Sequence, residues 1–286
     1  MALRDLLVHV DRSQAGMIRM RLAADLAARH GARLVVLHVR AHTINQAYRL
    51  KISELGLVPA AGVGADESSI KSEHEMDSEM LYGLLQQLQR SRRLDAEWCE
   101  VGGNIAKTVI ERSRYADLTI VGHDASRNDD LPDGYSFAES VLFLSGRPLI
   151  IIPPGVTQTT LGANVALAWN GSRAAARALN DALPLIEKAE GTFVLTAELL
   201  PSSNTDGFCT VDIFANIGRH AANAKTVTLK GLEGVVGDQL QNEALALCAD
   251  LLVTGAYGQP RVWERMLGGT TRDLLSRMRI PMLMSH

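Results

Sequence analysis

The chain is poor in cysteine: Cys99, Cys209 and Cys248 are the three in 286 residues. Their number is odd, they are far apart, and no Cys-x-x-Cys or Cys/His ligand spacing occurs. A disulfide framework and a zinc site are both excluded by that pattern. Cys248, in an apolar helical pattern, and Cys99, in a strand pattern, read as core packing. No apolar run comes near the ~20 residues of a membrane span, so no membrane partner is expected. The stretch Met1-Ala2-Leu3-Arg4-Asp5 has neither the apolar core nor the cleavage site of a signal peptide, and a cytoplasmic location is expected. Lys and Arg total 29 against 32 Asp and Glu, a net charge of −3. That balance argues against a general nucleic-acid footprint, which would need a basic face. Also missing are the Gly-x4-Gly-Lys-Ser/Thr phosphate loop and the Gly-x-Ser-x-Gly nucleophile turn.

What is present is an alternation of short apolar runs with helical patterns. Leu6-Leu7-Val8-His9-Val10 suits a strand buried on both faces. Ser13 is placed to cap a helix over 14–30, with Leu22, Leu26 and Ala27 inward and Gly31 as its stop. Strands follow at 33–39 and 96–101, separated by an ambiguous stretch over 40–70 and a long helix over 71–92. Asn104 opens a helix over 105–114, and strands four and five lie at 117–122 and 148–152. A linker rich in turn residues runs from Pro153 to about Gly162. The pattern then restarts: strand 165–169, helix 173–189, strand 192–197, helix near 211–222, strand 226–229, helix near 237–248, strand 250–255, helix 269–278 and strand 281–285.

This alternation predicts an α/β fold with a parallel sheet and helices on both faces. The length suits two domains of roughly 140 residues, placed at 1–155 and 162–286. An internal repeat supports the division. Ala116-Asp117-Leu118-Thr119-Ile120-Val121-Gly122 matches Ala249-Asp250-Leu251-Leu252-Val253-Thr254-Gly255 at a shift of 133 positions (255 − 122), which also carries Pro148 onto Pro281. Likewise Asn170-Gly171-Ser172 echoes Asp11-Arg12-Ser13. In a doubly wound sheet the turn after the first strand and the loop after the fourth share one crevice.

The repeat diverges in that loop. The second copy reads Gly255-x2-Gly258-x9-Gly268-Gly269-Thr270-Thr271. The first has Ala125, Tyr135 and Ser136 where the second has Gly258, Gly268 and Gly269, and carries Asp124, Asp129, Asp130 and Asp133. A glycine loop between strand and helix presents backbone N–H groups to phosphate. The acidic first copy disfavours phosphate, or is simply a solvated loop.

These residues resemble the universal stress protein family, in its tandem type. Its nucleotide-binding members carry G-x2-G-x9-G followed by Ser or Thr after the fourth strand. Gly255, Gly258 and Gly268 match; Gly269 stands where the family has a hydroxyl, with Thr270 and Thr271 beyond. The family's Asp after the first strand is Asp11 in the first half and Asn170 in the second. The resemblance implies two Rossmann-like domains of the adenine nucleotide alpha hydrolase-like kind, each a five-stranded parallel sheet. It implies ATP or a related adenine nucleotide, with or without Mg2+, bound in the second half. Gly255, Gly258, Gly268 and Gly269 would line the phosphates, with Thr270 opening the receiving helix. Asn170 would face the adenosine beside Gly171, and Ala197 would lie near the base. It further implies an internal pseudo-dimer through the last strands, placing Ile151 near Leu283, and leaves room for a homodimer.

Other readings stay open. The glycines could serve loop flexibility alone. Arg261 and Arg265 suit a solvated helix face or a terminal phosphate. Asp11 suits helix capping with Ser13 or ligand contact, and His9 and His38 suit core positions or metal ligation. The HxGH and SGGxDS signatures of related nucleotidyl enzymes do not occur, and no residue presents itself as a general base. The expected role is a stress-response regulatory module with at most slow ATP hydrolysis. The alternatives are a scaffold with a vestigial site and a weak nucleotide hydrolase or transferase.

Overall fold

The computed structural model of the chain describes residues 2–41, 67–123, 135–197, 208–221, 223–229, 236–256 and 270–286. The apolar runs form ten strands and the amphipathic stretches eight helices among these residues. The first half runs β1 (Asp5–Val10), α1 (Gln14–His30), β2 (Arg33–Ala41), α2 (Glu67–Arg92), β3 (Ala96–Gly103), α3 (Ile105–Ser113), β4 (Leu118–Gly122), α4 (Phe137–Ser145) and β5 (Leu149–Ile152). The second runs β6 (Asn164–Trp169), α5 (Arg173–Glu187), β7 (Gly191–Ala197), α6 (Phe208–Ile217), β8 (Ala224–Leu229), α7 (Val236–Ala246), β9 (Leu251–Gly255), α8 (Thr270–Ser276) and β10 (Met282–Ser285).

The expected caps are in place. Ser13 accepts from the Gly16 N–H, Gly31 closes α1 with φ 63°, and Asn104 accepts from the Lys107 N–H. Helix α4 is not among the sequence expectations. Its signal is local: Ser136 and Glu139 form a reciprocal capping box, and Gly146 follows at φ 71°. Cys248 corrects another expectation. Helix α7 ends at Ala246, and Cys248 stands exposed in the turn beyond it with φ 54°. The stretches 48–55 and 59–64 lie outside the described residues.

All ten strands join one sheet in the order β3-β2-β1-β4-β5-β10-β9-β6-β7-β8. Every neighbouring pair is parallel except β5 with β10, which run antiparallel at the centre. Two five-stranded parallel halves therefore meet edge to edge, each satisfying the other's exposed backbone groups. The register pairs Met282 with Ile151 and Leu283 with Ile150. The expected neighbours Ile151 and Leu283 are thus one residue out of register and belong to the cores on opposite faces of the sheet. One face is covered by α1, α2, α5 and α6, the other by α3, α4, α7 and α8. Strands buried on both faces explain runs such as Leu149-Ile150-Ile151-Ile152 with no polar alternation.

Candidate functional site

Strand order reverses between β1 and β4 and again between β6 and β9. At each reversal, the carboxyl ends of two strands lie side by side, where open α/β sheets receive ligands. In the second half, β6 turns through Asn170, Gly171 and Ser172 into α5. Asn170 Oδ1 accepts from the Ser172 N–H at 3.1 Å, and Ser172 Oγ accepts from the Ala175 N–H at 3.1 Å. Gly171 has φ 71°, a left-handed conformation that favours glycine. Trp169 pairs with Thr196, so Ala197 at the end of β7 lies beside this turn. Gly255 ends β9. A Cβ there would stand 2.5 Å from the Ala175 N and 2.7 Å from the Ala174 O, so the first turn of α5 rests directly on this glycine. Since β9 and β10 are parallel, α8 starts on the carboxyl-end side of the sheet, bringing Thr270 and the buried Thr271 there. Gly258, Arg261, Arg265, Gly268 and Gly269 lie outside the described residues.

The first half repeats the turn with different chemistry. Asp11 Oδ1 accepts from the Ser13 N–H at 2.8 Å. Its Oδ2 accepts from Arg19 Nη2 at 2.7 Å, while Arg19 Nε donates to the His9 carbonyl at 2.7 Å. The Arg19 side chain is 3% exposed, against 46% for Asp11. Its Nη1 lies against Gly122, where a Cβ would collide with it. Burial pushes the Asp11 carboxyl up, but the hydrogen bonds from Ser13 and the charge and hydrogen bond of Arg19 outweigh it and hold the pKa below the ordinary value. Burial, partly offset by Asp11, lowers Arg19. His9 is pushed down to about 3, first by burial and then by the Arg19 charge. Its ring packs on Phe137 of α4 at 5.5 Å, whereas His38 lies beside Trp98 and Ser78 of α2. The two histidines thus contact helices on opposite faces of the sheet. Ala125 and the four aspartates of the first-half loop lie outside the described residues, and Tyr135 packs on Phe143 at 5.0 Å.

The sequence matches no protein-family model and no curated protein. Solved structures match it along its length. A universal stress protein from Archaeoglobus fulgidus DSM 4304 superposes with a TM-score of 0.68 at 18% identity, covering 98% of this chain and 95% of that one. A putative universal stress protein from Pseudomonas aeruginosa UCBPP-PA14 gives 0.57 at 14% identity, over 99% and 93%. The fold is that of the universal stress proteins. The shared architecture spans both halves of the chain.

Within this universal stress protein fold, the described part of the sequence-derived site gathers at one end of the second half-sheet. Asn170, Gly171, Ala197 and Gly255 come from three neighbouring strand ends, and Thr270 and Thr271 from the helix that follows β9. Gly255 has a reason for its lack of a side chain that differs from the expected one: its Cβ direction is filled by helix backbone. Arg19 is the residue that sequence reasoning missed. Its signal is a charge on the buried stripe of α1, in helical register with Gly16, Met20, Ala23 and Ala27.

Proposed function

We propose that the chain is a tandem universal stress protein, with domains at 1–155 and 162–286, that binds ATP or a related adenine nucleotide in its second domain and acts as a stress-response regulatory module. The observation that carries this reading is a coincidence of spacing and topology. The series Gly255-x2-Gly258-x9-Gly268 begins at the last residue of β9, in a sheet whose order reverses between β6 and β9. Ligand contact there needs exposed polar groups and bare backbone. Asn170 is exposed, and its amide both donates and accepts. Gly258, Gly268 and Gly269 would offer N–H groups to phosphate, with Thr270 at the start of the receiving helix. Mg2+, if it accompanies ATP, would be held chiefly by the phosphates. The reading places the protein in the cytoplasm, with no nucleic-acid or membrane partner. Among the described residues no helix is long and apolar enough to cross a membrane.

Gly255 favours a second reading, a scaffold with a vestigial site, because packing against α5 alone accounts for that glycine. Mass spectrometry of small molecules released on denaturing the purified protein separates the two. The first reading expects an adenine nucleotide, and calorimetry with ATP giving one site per chain. Gly258→Asp places a side chain and a negative charge where phosphate must approach. Losing one charge-assisted hydrogen bond costs about 1.5–3 kcal/mol, so affinity should fall at least about tenfold. Unchanged affinity in the folded variant removes this loop from the site. Phosphate release lost with the same variant would instead mark an enzyme.

A further inference from the structure

The last turn of α1 and the end of α5 meet across the seam between the two halves, and they meet with like charges. Arg29 and His30 close α1, and Lys188 follows α5. Lys188 Nζ donates to the Arg29 carbonyl at 2.8 Å, and Arg29 Nη2 donates to the Leu161 carbonyl of the linker. Basic side chains near helix C-termini answer free carbonyls and the helix dipole, which accounts for these two bonds. Arg29 Nε and His30 Nε2 have no such account. Both nitrogens are shut off from solvent, and neither has a hydrogen-bond partner. A buried polar atom left in that state is costly, more so on a charged group. Nor does the chain supply an anion. Among the described residues no carboxylate forms an ion pair with Arg29, His30 or Lys188. Asp25, one turn before Arg29, is bound to Arg92, and Glu187, next to Lys188, is bound to His220. Burial, then the Lys188 and Arg29 charges, push His30 down to about 4, so the neighbouring charges that act on it are both positive.

We propose that Arg29, His30 and Lys188 form a site for a small tetrahedral oxyanion, phosphate or sulfate, that bridges the two halves of the chain. Arg29 and His30 are half-buried and Lys188 is exposed, so the group lies at the surface rather than deep in a core. An oxyanion there takes N–H bonds from all three side chains, and such charge-assisted bonds are the strong ones. Its field also sets an attraction against the two repulsions at His30, so the ring takes up one proton from solvent as the anion binds. Arg29 and His30 belong to the first half and Lys188 to the second. Occupancy therefore favours the docked arrangement of the halves by mass action.

Equilibrium dialysis of the full chain with radiolabelled sulfate, at ionic strength held constant with chloride, tests the site. Sulfate does not titrate near neutrality, so a proton taken up on binding belongs to the protein. Lys188→Gln and Arg29→Gln should each weaken sulfate binding at least about tenfold, the effect of losing one charge-assisted hydrogen bond. Lys188→Arg keeps the charge and should keep the binding. Wild-type affinity should rise as pH falls from about 7.5 to about 5.5, because binding takes up a proton, and His30→Gln should lose that slope. Inorganic phosphate should displace the sulfate. Displacement by ATP ahead of inorganic phosphate would keep the site and identify its occupant as the phosphate group of a nucleotide. Thermal melts identify the folded variants, and Lys188, being exposed, can be changed without disturbing a core. Wild type that binds no sulfate overturns the proposal, and so does binding unchanged in folded Lys188→Gln. A pH slope that survives His30→Gln overturns the part given to His30.

Discussion

His9 is buried in its neutral form, and its pKa of about 3 makes that burial a source of pH dependence. In the unfolded chain the imidazole returns to about 6.5. Between these values the unfolded chain binds a proton that the native chain does not, so stability is present above the window and is lost as pH falls through it. Going from about pH 7 to about pH 5 should remove about 2 kcal/mol on account of His9. His30 adds to the slope with the same sign, its pKa lowered to about 4 by burial and by the Lys188 and Arg29 charges. Urea titrations across that range should show His9→Gln with a shallower pH dependence than wild type; equal slopes would mean that His9 is not held neutral. Asp250 offers a second test. It is 5% exposed and accepts from the Thr160 hydroxyl at 2.6 Å and from the N–H groups of Gly162, Ala163 and Asn164 at 2.9, 3.0 and 3.0 Å. Its repeat partner Asp117 accepts two bonds, from the Arg4 and Asp5 N–H groups at 2.7 and 3.1 Å. An amide oxygen can accept from two donors but not from four, so Asp250→Asn should cost about 3 kcal/mol, whereas Asp117→Asn, whose two donors both bond Oδ2, should cost well under half that. Denaturation midpoints at constant slope check the ratio, and equal losses would mean that the donor count does not set the cost.

At the scale of elements, legibility follows sequence distance. Caps act within four residues, so Ser13, Asn104 and Gly31 could be read without the fold. Helix α4 had a signal of the same range in Ser136 and Glu139, and the repeat also set it against the expected helix over 269–278. The pairing of β5 with β10 was visible as two short apolar strands, but its register was not. Register depends on side chains from both halves meeting the two cores at once, and a one-residue slip exchanges the faces. The corrected register makes a sharp test. Ile150→Cys with Leu283→Cys places the thiols opposite each other on one face and should form an intrachain disulfide on oxidation. Ile151→Cys with Leu283→Cys places them on opposite faces and should not. Peptide mapping after digestion reads both, and the reverse result would reject this register.

For the whole molecule, the sequence carried the α/β class, the repeat and the strand ends where the candidate site gathers. Arg19 and the packing role of Gly255 escaped it, because each depends on a neighbour brought in from another element. The same kind of contact ties the halves together. Both faces of the sheet carry cores that include residues from each half, such as Leu26 with Leu185 on one face and Ile151 with Met282 on the other. Arg29 of α1 donates to the Leu161 carbonyl, and Lys188 Nζ donates to the Arg29 carbonyl at 2.8 Å. Phe143 of α4 meets His286 edge to face at 4.9 Å. If either half opened alone, it would expose the apolar edge of β5 or β10 and part of both cores. The expected behaviour is therefore one cooperative transition across the chain. The three tryptophans allow a direct check. Trp98→Phe leaves Trp169 and Trp263 as probes in the second half, and Trp169→Phe with Trp263→Phe leaves Trp98 in the first. Each variant's fluorescence midpoint in urea should coincide with its own circular-dichroism midpoint. A fluorescence transition separated from the loss of helix in the same variant would show that the central strand pair and shared cores do not couple the halves.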